Sequence, residues 1–252
     1  MSEATPARRP AAIHVQQRDV DGLVLCGEHG GVPYDLLSTA LGVAPARLRG
    51  ITARWRRAGY AATGPAGPGP AWCWLTPHGM NATFGTGNGY TPGPPRLARV
   101  AHLRAVIAAR LWLQATPEWE QGRPWYQSER RIIRKGPFSG THRPDAEVWW
   151  PWSETSPYPE QVWAVEVELT AKNAARTAAV IGAYAAAGYS RILYFTAPPA
   201  RHVVTRCAAA STAPVTVLDL PPAAAIPVLT ITCSAEFTKH TNHSRNNVRQ
   251  GG

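Results

Sequence analysis

Short apolar clusters alternate with polar residues at helical spacing in the first third of the chain. Three segments place apolar residues three or four positions apart and predict short helices, over residues 18–28, 34–41 and 45–60. Two short apolar runs flank a Gly- and Pro-rich loop and predict a pair of strands, at residues 60–63 and 71–76. Together these elements predict a small domain of three helices and a β-wing over residues 16–83.

The third predicted helix has two distinct faces. It begins at Pro45, which suits the first position of a helix. Its apolar stripe predicts a buried face formed by Leu48, Ile51 and Trp55. Three arginines fall on a different face and are expected to stay exposed: Arg47, Arg54 and Arg57. An arginine-rich helix is also an ordinary solvated surface in an arginine-rich protein, so that alternative stays open.

Helices and strands alternate in the rest of the chain. A helical pattern at 97–115 precedes two strand-like runs, and an Ala-rich helix at 172–189 follows them. A buried strand, a helix and a last strand complete the pattern, over residues 191–197, 200–210 and 214–220. Because a helix between two strands favours parallel pairing, residues 96–233 are expected to form an α/β domain.

Three carboxylates lie on the two strand-like runs. Side chains alternate across a strand, so Glu166 and Glu168 share one face, about 7 Å apart. A neighbouring strand that brings Asp145 alongside would complete a cluster of acids. Such a cluster repels itself unless a cation occupies it, and hard oxygen ligands suit Mg²⁺ or Mn²⁺. The alternative is the solvated face of an amphipathic strand.

Three more charged residues are candidates for the same site. Lys172 has the strand parity of Glu168 and lies where the next helix begins; as an alternative, it only starts that helix. Arg176 follows one turn later, so both cations could point at a phosphate. Glu129 lies upstream of Asp145 and could help to hold a metal ion, although a surface glutamate among arginines explains it equally well.

Charge and composition narrow the class of partner. The chain carries 26 Lys and Arg against 16 Asp and Glu, a net charge of +10, which suggests a polyanionic partner. No apolar run approaches 18 residues, and the N-terminus lacks the apolar core of a signal peptide. A cytoplasmic protein with double-stranded DNA as its partner is therefore favoured over one that binds membrane lipid. The scattered cysteines show no metal-binding spacing and are expected to be reduced thiols: Cys26, Cys73, Cys207 and Cys233.

Three segments are expected to lie outside the folded domains. Residues 1–15 are rich in Ala, Pro and Arg and are expected to be disordered. Residues 84–95 are rich in Gly and Pro and predict a linker. Residues 234–252 form a basic tail, in which His240 and His243 are better explained as polar tail residues than as metal ligands.

Two local motifs resemble known folds. The run LTPHGM after the predicted wing resembles the close of winged helix-turn-helix domains. Pro144-Asp145 together with Glu166-Val167-Glu168 resembles the core of the PD-(D/E)XK nucleases, with glutamate at the position where lysine is usual. These resemblances imply an α/β protein, with an N-terminal winged helix-turn-helix domain followed by a PD-(D/E)XK nuclease-like α/β sandwich. The implied catalytic residues are Asp145, Glu166, Glu168 and Lys172, and the implied metal ligands are Asp145, Glu166 and Glu129. The implied DNA contacts are Arg47, Arg54, Arg57 and Arg176.

The arrangement as a whole resembles the replication-relaxation family of plasmid and integrative-element proteins, over about residues 18–220. Besides the winged-helix start, four short motifs carry this resemblance: SER at 128–130, HRPDA at 142–146, VEVELTAK at 165–172 and YFT at 194–196. It implies a DNA-binding protein of a mobile element that acts in DNA relaxation, replication or transfer. A relaxase or a replication protein would be a further partner, and the oligomeric state stays open, with a dimer among the alternatives.

Three functions remain open at this point, and the third is an auxiliary protein whose fold docks a relaxase or helicase. The first is a metal-dependent DNA endonuclease or nickase, in which Mg²⁺ or Mn²⁺ activates a water. The second is a non-catalytic DNA-binding accessory or regulatory protein with a degenerate nuclease fold. The set of Asp145, Glu166, Glu168 and Lys172 favours the first, and the missing lysine at position 168 favours the second.

Overall fold

The computed structural model describes residues 15–135, 142–151 and 161–227, and within them it shows a mixed α/β protein. The helices are α1 (Gln17–His29), α2 (Tyr34–Ala40), α3 (Pro45–Arg57), α4 (Pro77–Phe84), α5 (Val100–Gln114), α6 (Pro117–Gly122), α7 (Glu129–Arg134), α8 (Ala174–Ala186) and α9 (Pro198–Ala209). The strands are β1 (Val32–Pro33), β2 (Ala61–Gly64), β3 (Trp72–Leu75), β4 (Trp125–Ser128), β5 (Ala146–Trp150), β6 (Gln161–Glu168), β7 (Arg191–Thr196) and β8 (Val215–Asp219). The expected disordered start and basic tail lie outside the described residues, apart from Val15, as do His240, His243 and Cys233. None of the described helices is long and apolar enough to span a membrane.

The first unit packs α1, α2 and α3 against a three-stranded antiparallel sheet in the order β1-β3-β2. The predicted stripe of α3 is buried, and Leu48 and Trp55 are fully enclosed in the core of this unit. The three predicted helices and the two predicted strands are therefore present. The short strand β1 and the helix α4 were not predicted from the sequence.

The run LTPHG starts α4 through three features: a capping threonine, a proline and a glycine that lies close to the backbone of Tyr60. Thr76 caps the helix, since its hydroxyl oxygen accepts a hydrogen bond from the Gly79 amide at 3.0 Å. Pro77 follows at the first helical position. A Cβ at position 79 would lie 1.8 Å from the Tyr60 carbonyl oxygen, so only glycine allows this close approach.

The second unit is built on a five-stranded sheet in the order β4-β5-β6-β7-β8. The strands β4, β5 and β6 pair antiparallel, whereas β6, β7 and β8 pair parallel. The helices α8 and α9 connect the parallel strands, which confirms the parallel pairing expected from the sequence. One sheet face packs on α5, and the other packs on α8 and α9.

The helix α5 belongs to both units. Ile107, Ala108 and Leu111 pack into the core of the first unit. Its other side carries Ala105, Val106 and Ala109, which pack on the five-stranded sheet. Near the end of the described chain, Ile226 also packs into the core of the first unit.

The segment expected to be a linker also takes part in this packing. Tyr90 is buried in the core of the first unit, and its ring lies 4.7 Å from that of Phe84. The guanidinium of Arg130 on α7 lies over the Tyr90 ring at 5.2 Å. Burial raises the pKa of the Tyr90 hydroxyl to about 12. Residues 84–95 therefore hold contacts to both units.

Candidate active site and arginine-bearing helix

Asp145 directly precedes β5, and Glu166 lies on the neighbouring strand β6. The β5–β6 ladder begins where Ala146 pairs with Val165, so Asp145 lies one residue beyond its end, next to the position of Glu166 along β6. Their carboxylates turn to different layers of the unit, because Asp145 contacts His102 on α5 whereas Glu166 contacts Tyr184 on α8. The Val167 amide donates a hydrogen bond of 2.9 Å to Asp145 Oδ2 and fixes that carboxylate at the end of the strand.

His102 on α5 holds the other oxygen of Asp145. Its Nε2 lies 2.8 Å from Asp145 Oδ1. The hydrogen bond to Asp145 raises the pKa of the His102 imidazole. Sequence reasoning missed this residue, because a single histidine in an apolar helix, with no motif around it, gives no sign that it faces a strand end far along the chain.

Glu166 is the most enclosed of the predicted acids. Its side chain is buried, and Tyr184 on α8 donates its hydroxyl hydrogen to Glu166 Oε1. His142 Nε2 lies 3.6 Å from the same oxygen. Burial raises the pKa of Glu166; the nearby Asp145 charge acts in the same direction, whereas His142 and Tyr184 oppose it. The Glu166 contact also raises the pKa of His142.

Glu168 and Lys172 form an ion pair where β6 ends. Glu166 and Glu168 are 4% and 6% exposed, so the alternative of a solvated strand face does not hold. Arg176 lies in the first turn of α8 and is exposed. The structure therefore places an exposed arginine in the first turn of α8, four positions beyond Lys172.

Glu129 reaches the site through its backbone. Its amide donates a hydrogen bond of 2.9 Å to the Asp145 carbonyl oxygen, but its carboxylate accepts from Arg99 at 2.7 Å. Glu129, Asp145 and His102 line one small cavity of about 20 Å³. A polar space of that size holds about one water molecule.

The expected convergence of three acids on one metal ion is not found within residues 15–135, 142–151 and 161–227. No three Asp, Glu, His or Cys side chains there are grouped so that they could hold an ion. The reason is that side chains of the protein balance the acids: His102 contacts Asp145, Lys172 pairs with Glu168, and Arg99 pairs with Glu129. Glu129 is thus held away from the metal role that the sequence suggested.

The pair of Asp145 and Glu166 still has the donor chemistry for a hard divalent cation. Mg²⁺ commonly uses one or two protein carboxylates and completes its shell with water and substrate phosphate oxygens. Asp145 and Glu166 are two such carboxylates at one end of the sheet, and each has a partner on a different sheet face, His102 on α5 and Tyr184 on α8. Burial is the main cause of the raised pKa of Glu166, and the Asp145 charge adds a like-charge repulsion that a cation would relieve.

The arginines of α3 divide into one buried contact and several exposed ones. The expectation that Arg54 stays exposed holds only in part: its side chain is 33% exposed, but its guanidinium donates to both oxygens of the fully buried Asp19, at 2.6 and 2.9 Å. Arg47 and Arg57 are exposed as expected. Sequence reasoning overlooked Arg49 and Arg56, which are also exposed. Arg56 and Arg57 line a concavity of about 440 Å³ between α3 and β2.

Comparison with known proteins adds little to this geometry. No protein-family model and no curated protein matches the chain. Among solved structures, the restriction endonuclease FokI bound to DNA is similar at 8% identity and a TM-score of 0.29, over 80% of this chain and 42% of that chain. The chain thus spans less than half the length of that protein, and a match this weak carries no argument. The replication-relaxation resemblance gains no support from these comparisons.

Proposed function

We propose that this protein binds double-stranded DNA and cleaves it by metal-dependent hydrolysis of a phosphodiester, as an endonuclease or nickase. The observation that carries the proposal is the register of β5 and β6, which brings Asp145, one residue before β5, to the end of the ladder next to the position of Glu166 on β6. The antiparallel β4-β5-β6 ladder, followed by a helix and a parallel strand, agrees with a nuclease-like α/β sandwich. The Glu168–Lys172 pair adds a cation at the same strand end.

The residues of the chain take distinct roles in this mechanism. Asp145 and Glu166 would hold Mg²⁺ or Mn²⁺, which supplies an activated water and neutralises charge on the scissile phosphate. His102 and the Val167 amide keep Asp145 in one orientation, and Tyr184 does so for Glu166. Lys172 places positive charge close to the phosphate in the transition state, while Glu168 holds that lysine in position.

DNA binding is assigned to the first unit. Its three helices and its hairpin of β2 and β3 support a winged helix-turn-helix assignment for residues 16–83. In that arrangement α3 faces the DNA, with Arg47 and Arg57 on phosphates or base edges. Arg176 at the start of α8 would contact a phosphate near the cut. The mobile-element setting, with a relaxase or replication protein as partner, rests on the sequence resemblance alone.

A second candidate function is a DNA-binding accessory protein without catalysis. The observation that favours it is that each acid already has a partner within the protein. His102 contacts Asp145, Tyr184 contacts Glu166, Lys172 contacts Glu168 and Arg99 contacts Glu129. A site whose acids are already balanced has less need of a cation. Glutamate at position 168, where the resembling nucleases carry lysine, points the same way.

Nicking of a supercoiled plasmid separates the two candidates. The wild-type protein is incubated with Mg²⁺, with Mn²⁺ or with EDTA, beside the variant Asp145→Asn, and a gel-shift assay follows duplex binding. The endonuclease proposal predicts nicked or linear product in both metal arms, none with EDTA, and none for the variant at unchanged duplex binding. Tight binding without cleavage under any condition would favour the accessory protein instead.

A further inference from the structure

A buried ionic cluster joins the first unit to the five-stranded sheet. Glu28, near the C-terminal end of α1, accepts a hydrogen bond of 2.7 Å from Arg110 on α5. The two side chains are only 2% and 4% exposed. The second carboxylate oxygen of Glu28 lies 3.4 Å from the guanidinium of Arg131 on α7. One carboxylate of the first unit is therefore enclosed by two arginines, one on the shared helix α5 and one on α7 of the second unit.

Neighbouring contacts hold the same junction. Arg110 donates to His29 Nε2 at 3.1 Å, and its guanidinium lies over the Tyr126 ring on β4 at 4.6 Å. Arg130 on α7 donates to the Gly27 carbonyl oxygen at 2.7 Å and to the Thr91 carbonyl oxygen at 2.6 Å. The bond to Gly27 reaches the carbonyl end of α1, where a positive charge is electrostatically favourable. The junction is thus polar, buried and specific in geometry.

The junction is formed by helices that also contact the candidate active site. Arg110 lies about two turns beyond His102 on α5, and His102 contacts Asp145. The helix α7 starts at Glu129, whose amide is bonded to the Asp145 carbonyl. On the other side, α1 carries Asp19, which binds Arg54 of the arginine-bearing helix α3. Bonded contacts therefore run from α3 through α1 and α5 to Asp145.

We infer that Glu28 is a positioning residue that fixes the DNA-contacting helix at a set distance from the Asp145–Glu166 pair. This inference rests on the proposed function, and it adds that the cut falls at a constant offset from the bound segment. A tether between independent domains would instead allow a range of offsets. The shared helix α5 and the buried Tyr90 support a fixed arrangement, since neither can stay packed if the units move apart.

Cooperativity of unfolding tests the coupling without any need for cleavage. Urea unfolding of the full chain is followed by tryptophan fluorescence and by far-UV circular dichroism for the wild type, Glu28→Gln and Asp19→Asn. Asp19 is a matched control, because it is a buried, arginine-paired acid whose partners all lie within the first unit. Coincident transitions by two probes indicate a single cooperative unit.

The inference predicts one coincident transition for the wild type and one, at lower urea, for Asp19→Asn. Glu28→Gln should give separated transitions, because it loosens the junction without removing an apolar side chain from either core. A single coincident transition for Glu28→Gln would overturn the inference. Arg130→Gln, which removes the two bonds to backbone carbonyls, serves as a milder second variant should Glu28→Gln fail to fold, with the same two outcomes.

The positions of the cuts test the offset itself. Ends produced on a plasmid are sequenced for the wild type and for Glu28→Gln at matched total cleavage. The inference predicts discrete clusters of ends for the wild type and a broad spread for the variant, an effect that loss of stability alone does not produce. Identical distributions would refute the positioning role. Absence of cutting by the wild type would refute the proposed function, whereas the unfolding experiment would still decide the coupling.

Discussion

Replacing Arg54 with alanine should damage the fold of the first unit rather than only its affinity for DNA. Asp19 is fully buried and accepts hydrogen bonds from Arg54 at 2.6 and 2.9 Å, from Trp55 Nε1 at 2.8 Å and from the Gln16 amide at 2.9 Å. Removing Arg54 takes away the positive charge that balances this carboxylate. Arg57 on the same helix has an exposed side chain, so it provides the matched comparison.

The size of the effect follows from burial. Removing one partner of a fully buried ion pair costs about 3–5 kcal/mol. The Arg54 side chain is 33% exposed, and Asp19 keeps two other donors, so the loss should be nearer to that of one hydrogen bond to a charged group, ~2 kcal/mol. For a chain of this length, that loss lowers the melting temperature by roughly 4–8 °C. Arg57→Ala should change stability by no more than about 0.5 kcal/mol.

Two assays check this contrast. Thermal unfolding by circular dichroism gives the melting temperatures, and fluorescence anisotropy with duplex DNA at several salt concentrations gives the affinity and its salt slope. Arg57→Ala should weaken binding and reduce the magnitude of the salt slope by about 1, because one phosphate contact is lost. An Arg54→Ala protein that melts like the wild type but loses affinity as Arg57→Ala does would refute the assignment of Arg54 to Asp19.

Two further predictions concern stability. Burial, reinforced by Arg110 and Arg130, lowers the pKa of His29, so its contribution to stability is present above about pH 6.5 and is lost as the pH falls. Relative to His29→Gln, the wild type should lose unfolding free energy as the pH falls below about 6.5, as followed by urea titration; parallel pH profiles would contradict this. Gly79→Ala should destabilise by more than ~2 kcal/mol through its clash with a backbone carbonyl, whereas Gly182→Ala, with open space around its Cβ, should stabilise by ~0.5–1 kcal/mol. Equal melting temperatures for the two glycine variants would show that the approach at position 79 is not close.

Most of the secondary structure could be predicted from the local pattern of apolar and polar residues. The stripe of Leu48, Ile51 and Trp55 predicts a helix with one buried face, and each of these residues is in the core. The alternation around Glu166 and Glu168 likewise predicts a strand, and the following Ala-rich segment predicts the crossover helix. These features depend on neighbours within a few positions, so the sequence alone is sufficient for them.

Contacts between distant positions could not be predicted in the same way. Asp19 is buried only because Arg54 meets it, and His102 contacts Asp145 only because α5 lies along the sheet. Charged residues are seldom buried unless they are paired, so each of these positions is expected at the surface when its partner is unknown. The packing of α5 on both units depends on two cores whose residues are far apart in sequence. Residues 84–95 resemble a simple linker in the sequence, because the core that buries Tyr90 is formed mostly by residues elsewhere in the chain.

Charge neutralisation of single buried carboxylates tests the central claim most directly. Glu166→Gln is compared with Glu147→Gln, since Glu147 is a similarly buried acid two positions from Asp145 on β5, held by Trp149 at 2.8 Å and Tyr189 at 2.6 Å. Plasmid nicking with Mg²⁺ is measured for both variants below their melting temperatures.

The account predicts that Glu166→Gln slows nicking by about 100-fold or more, equivalent to ~3 kcal/mol of transition-state stabilisation. Glu147→Gln should cut within a few-fold of the wild-type rate. Equal nicking by the two variants, or nicking by the wild type that persists in EDTA, would contradict a metal-dependent site at Asp145 and Glu166.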